Sequence, residues 1–76
     1  MSKNKKKIIN LLKREFQIKK KLEVKNYKIG DFKKWDSLGN LNLLMLIEDE
    51  FNIRFTLTEM TKLNNVNAIE KALKKK

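Results

Sequence analysis

Ser37 is the residue with the most evident chemical use. It follows Trp35-Asp36 and precedes Leu38-Gly39 at the start of a run of helical periodicity. The bland reading of Asp-Ser in this place is an N-cap, in which Asp36 accepts hydrogen bonds from the backbone N–H of Leu38 or Gly39. The sharper reading is an attachment point. A hydroxyl exposed at the positive end of a helix dipole is a place where a phosphate ester is electrostatically favoured. Gly39 fits either reading. Its missing side chain would leave space beside Ser37, or it is simply tolerated in a frayed first turn, since Gly inside a helix costs about 1 kcal/mol against Ala.

The rest of the composition limits what else the chain can do. Seventy-six residues make one domain with one small core. There is no Cys, His or Pro, so disulfides, thiol nucleophiles, a Ser-His-Asp triad and the usual zinc ligands are excluded. No segment approaches the roughly 20 apolar residues of a membrane span, and the basic start reads as part of an amphipathic helix, not as a leader peptide. The expectation is a cytoplasmic, monomeric protein without a membrane span. An enzyme using Ser37 with a lysine base is remote, because no oxyanion-hole motif is visible.

The net charge of +10, from 19 Lys plus Arg against 9 Asp plus Glu, suggests a second class of function. A basic helical module could bind nucleic acid or an anionic membrane through Lys3, Lys5 to Lys7, Lys13 and Lys19 to Lys21. Against specific nucleic-acid recognition, 17 of the 19 are Lys and only Arg14 and Arg54 carry the planar guanidinium that base readout favours. The charge is also unevenly placed. Residues 1–34 hold 13 basic and 3 acidic side chains, residues 35–60 hold Arg54 against five acids, and residues 61–76 return to +4. The function is expected in the acidic middle.

The elements that would position Ser37 follow from the periodicity. Residues 3–20 place Ile8, Ile9, Leu12 and Phe16 at helical spacing. Residues 21–35 are a long loop with a turn at Gly30-Asp31, pinned by Val24, Tyr27, Ile29, Phe32 and Trp35. Asp36 to Phe51 is a second helix with two apolar stripes. One holds Leu43, Leu44, Ile47 and Phe51, and the other holds Leu38, Leu41 and Met45 with Ser37 and Glu48 at its edge. An extended connector tucks Ile53, Phe55 and Leu57 inward. Thr56 and Glu59 have capping-box spacing, with Thr58 a competing cap, before a short third helix around residues 59–63. Asn65 caps a last helix carrying Val66, Ile69, Ala72 and Leu73, whose terminal Lys74 to Lys76 fray. The fold class is all-α, a small four-helix bundle with a long first loop and a short third helix.

Asp36-Ser37-Leu38, Leu41, Leu43-Leu44-Met45, Ile47-Glu48-Asp49-Glu50-Phe51, Ile53, Phe55, Glu59, Val66 and Ile69 together closely resemble the acyl carrier protein family, across residues 35–73 without a gap. The Trp35 to Gly39 form looks more like the small stand-alone carriers of specialised biosynthesis. The resemblance implies that Ser37 receives a 4′-phosphopantetheine arm from coenzyme A through a phosphopantetheinyl transferase. It implies that Asp36 presents Ser37 near the transferase's magnesium. Leu38, Leu41 and Met45 would form the patch gripped by acyl-loading and acyl-transferring enzymes, with Glu48 adding charge at its edge. The cargo would be an acyl or aminoacyl thioester. Two departures stand out: Asn42 and Gly39 are neutral where the family is usually, or often, acidic, which implies a dedicated partner set.

Overall fold

The structure is a computed structural model and describes residues 3–76. Four helices follow in order: α1 (Lys3–Glu15), α2 (Ser37–Phe51), α3 (Leu57–Lys62) and α4 (Val66–Lys74). Among the described residues there is no strand, and a single antiparallel bridge joins Lys28 to Asn65. No helix is long and apolar enough to cross a membrane among them.

Helix α1 packs against both α2 and α4. It buries Ile8, Ile9, Leu11 and Leu12, one side of a 3.6-residue repeat, while Lys3, Lys6, Lys7 and Arg14 stay exposed. The helix ends earlier than the apolar spacing predicts. The Ile18 N–H reaches back to the Lys13 carbonyl at 2.9 Å and Gln17 adopts a left-handed φ of 55°. This is the Schellman stop, here with Gln in the place Gly usually takes. Past it, Lys19 to Lys21 are exposed and supply no apolar side chain for another turn to bury.

The first loop is fastened by aromatic rings. Phe16 and Trp35 have ring centroids 5.7 Å apart, Phe32 and Trp35 6.4 Å, and Tyr27 and Phe32 5.4 Å, distances at which such pairs attract. Trp35 is almost fully buried in the main core with Leu43, Leu44, Ile47, Val66 and Ile69. Val24, expected as a further pin, is exposed. Gly30 takes φ 95° while its N–H donates to the Trp35 carbonyl at 2.8 Å, a positive φ that favours glycine.

Helix α2 starts and stops on side-chain and backbone caps. Asp36 sits in extended conformation and accepts from the Gly39 N–H. At the other end Asn52 turns left-handed at φ 54°, and the N–H groups of Asn52 and Ile53 both donate to the Glu48 carbonyl; Asn tolerates this region better than most residues. The capping box at α3 is complete in both directions between Thr56 and Glu59, and Asn65 caps α4 through the Ala68 N–H at 2.8 Å. Helix α3 therefore begins at Leu57, two residues earlier than expected, because Thr56 and not Thr58 is the cap.

Candidate functional site

Ser37 is the first residue of α2 and is exposed. Its hydroxyl makes no hydrogen bond among the described residues. The adjacent Asp36 carboxylate is committed to the helix, with Oδ1 2.8 Å from the Gly39 nitrogen. Asp36 thus fixes where the helix begins and leaves the serine oxygen free at its positive end.

Gly39 is there for close packing. A Cβ added to it would lie 2.1 Å from the Lys34 carbonyl oxygen and 3.1 Å from the Phe16 ring. The expected space beside Ser37 and the expected frayed turn are both corrected. The first turn of α2 is pressed against the backbone of the preceding loop, which only a hydrogen atom at Cα allows. The position of Ser37 is set by this contact and by the cap together.

Asn40 was not singled out by sequence reasoning, yet it is the buried polar centre of the site. Its Oδ1 accepts from Trp35 Nε1 at 2.9 Å and its Nδ2 donates to the Leu63 carbonyl at 2.9 Å. One side chain therefore joins the end of the first loop, the first turn of α2 and the end of α3. A polar residue one turn into a helix reads as surface. The two partners that bury it lie 5 and 23 residues away, beyond any local pattern.

Outward from Ser37 runs an apolar face. Leu38 is 67% exposed, Leu41 41% and Met45 52%, and across the groove on α3 Leu57 is 83% exposed. Leu57 was expected to tuck inward; it corrects that reading, because Thr56 ends the extended connector and turns the following residue out into the first turn of α3. Ile29, Ser37, Asn40, Leu41, Leu57, Met60, Thr61 and Asn64 line an open groove of ≈ 680 Å³ between the first loop, α2 and α3. None of these lining residues is charged.

Glu48, at the edge of that face, has a structural contact as well. Its Oε2 accepts from the Phe55 N–H at 2.8 Å and it is half-buried. The carboxylate thereby also holds the connector that follows α2, so that Phe55 enters the core. Glu50 lines a separate groove with Lys7, Asn10, Leu11 and Arg14 on the α1 side. Asp49 is exposed, and at 100° per residue it falls on the same stripe as Leu38 and Met45.

Glu59, in α3, is met by the far end of the chain. Its Oε1 accepts the Lys76 ammonium at 2.9 Å and the Thr56 N–H at 2.8 Å. The Lys76 hydrogen bond, followed by that of the Thr56 backbone, holds the Glu59 carboxyl below the usual carboxylate range. Lys76 also lies 5.8 Å from the Phe55 ring centroid. The last lysine, expected to fray, is thus tied to α3.

The arrangement suits a phosphate-linked group on Ser37. The oxygen is unpartnered and exposed, no acid stands in the first turn of α2, and Lys33 and Lys34 line an adjoining groove with Asp36 and Leu38. Compared with known proteins, the chain matches no family model, no curated protein and no solved structure.

Proposed function

We propose that the chain is an acyl carrier whose Ser37 holds a 4′-phosphopantetheine arm and hands a thioester-bound acyl or aminoacyl group from one biosynthetic enzyme to the next. The observation that carries this reading is the free Ser37 hydroxyl at the start of α2, standing between an uncharged groove and an exposed apolar strip. In the loading reaction the Ser37 oxygen forms a bond to the inner phosphorus of coenzyme A's pantetheine phosphate. The pyrophosphate bond breaks, adenosine 3′,5′-bisphosphate leaves, and the serine proton passes to a base on the transferase.

When attached, the arm supplies a thiol that carries the acyl group as a thioester. The chain's own residues do the rest. The Asp36 cap and the Gly39 contact fix the oxygen in space, Leu38, Leu41 and Met45 offer apolar area to a partner, and the groove along Ile29, Leu41, Leu57 and Met60 can lie under the arm. Tethering raises the effective concentration of the cargo at each enzyme. A chain without Cys or His can take part in acyl chemistry this way.

Incubation with coenzyme A and broad-specificity phosphopantetheinyl transferases tests the reading by intact mass. The expected result is the gain of one phosphopantetheinyl group, lost in Ser37→Ala. Absence of any gain with several transferases would overturn it.

A further inference from the structure

We infer that the outward face of α2 is a bipolar docking strip: the enzyme that acts at Ser37 presents carboxylates at the Ser37 end, apolar side chains in the middle and a basic group at the far end. This rests on the carrier reading and adds the chemistry of the partner. Three observations carry it.

The first is the apolar centre. Leu38 and Met45 lie two turns apart on one face with Leu41 beside them, all substantially exposed, and Asn42 between them is uncharged and exposed. Adjacent apolar side chains of this size left in water mark a contact surface.

The second is the basic end. Lys33 and Lys34 are both exposed and line one groove with Leu38 and Asn42. Lys34 Nζ donates to the neutral Gln17 Oε1, so its charge is not cancelled. Neither lysine is ion-paired among the described residues. Two carboxylates share the groove. Asp36 keeps its charge but is turned to the Gly39 N–H at the start of α2, whose dipole offsets part of it, and Glu15 is half-buried at the end of α1.

The third is the acidic end. Of the triplet Glu48-Asp49-Glu50, Glu48 holds the Phe55 N–H and Glu50 borders Lys7 and Arg14. Asp49 remains on the strip, eleven residues beyond Leu38 and about 16 Å along the helix. A contact surface of one sign would meet attraction at one end and repulsion at the other. A surface of opposite polarity fits both ends and fixes the orientation in which Ser37 enters the active site.

The sign of two charge reversals decides the question. The measurement is kcat/KM for phosphopantetheinylation by the transferase that modifies the wild-type chain best, at low and high salt. Lys33→Glu/Lys34→Glu and Asp49→Lys are each expected to lower it about tenfold at low salt, with the loss shrinking as salt screens the contact. Lys33→Glu alone leaves the Lys34–Gln17 bond intact and is expected to show part of the loss, and thermal melts check that each variant is folded. A rise in the double lysine variant would overturn the inference in favour of a uniformly basic partner. Unchanged rates in either reversal would also overturn it. These outcomes leave the carrier reading standing, whereas no mass gain in the wild-type chain removes both.

Discussion

The basic half and the acidic middle of the chain use their charges in opposite ways. On α1 Lys3 and Lys6 are exposed, Lys7 lies 5.7 Å from the Phe51 ring centroid, and the helix is held by Ile8, Ile9, Leu11 and Leu12. In residues 35–60 three of the five carboxylates hold the backbone: Asp36 at Gly39, Glu48 at Phe55 and Glu59 at Thr56. Asp31, in the first loop, does the same for the Lys28 N–H, so the rule follows the sign of the charge more than its place. The reason is chemical. A carboxylate accepts from the orphan N–H groups that every helix start and sharp turn exposes, and an ammonium cannot. An excess of lysine changes the field around the molecule, while three of these acids hold backbone N–H groups at the start of α2, in the capping box of α3 and in the connector between them. The net charge therefore describes how the protein is approached, and the acids describe how it is built.

The largest expected effect would come from Asn40→Ala, which leaves the Trp35 indole N–H and the Leu63 carbonyl buried without partners. It should destabilise the protein by about 3 kcal/mol in urea unfolding, and a loss under 1 kcal/mol would show that the internal polar contacts of this region are dispensable. Next comes Glu48→Gln, which weakens the charged acceptor for the Phe55 N–H and should cost about 1 kcal/mol. Asp49→Asn, one residue on and exposed, should stay within about 0.5 kcal/mol. Equal effects at the two positions would erase the distinction between built-in and free acids.

Glu59 gives a smaller, pH-dependent difference. Because its carboxyl is held below the ordinary range in the folded protein, its stabilising effect is fully present above the unfolded value and disappears as pH falls through the folded one. The gap in urea midpoint between wild type and Glu59→Gln should accordingly be constant near neutrality and close on acidification below the usual glutamate pKa. A gap that widened in acid would reverse the assignment. The smallest effect is expected for Lys6→Gln on α1, within about 0.5 kcal/mol. A loss of 1 kcal/mol or more there would mean that the lysine surface holds the fold after all.

The parts legible in the sequence were those decided by near neighbours. Asp36, the Thr56–Glu59 box and Asn65 cap helices through groups three residues away, and the buried side of α2 follows from periodicity. Contacts between distant segments were not legible. Gly39 looked like a permissive residue because the Lys34 carbonyl against it belongs to a loop whose path no local pattern gives. Glu48 read as surface because the Phe55 N–H comes back to it only after the chain reverses at Asn52. Leu57 read as buried because alternation was extended one residue past the cap that ends it. At the candidate site, Ser37 and the apolar strip lie where helical spacing puts them, while the groove beside them needed α3 and the first loop to be brought together.

The bridge between Lys28 and Asn65 has a consequence for the order of events in folding. The Ile29 N–H donates to the Asn64 carbonyl and the Val66 N–H to the Tyr27 carbonyl, so two strands of backbone more than thirty residues apart close a ring containing all of α2 and α3. Closing a ring of this size costs configurational entropy that grows only with the logarithm of its length, but that cost falls due before the two hydrogen bonds return anything. The ring should therefore shut late, with the long-range packing of the helices and after the local caps and turns have formed. Until then the groove beside Ser37 has no second wall. A nascent chain would display Ser37 before it displayed the groove beside it.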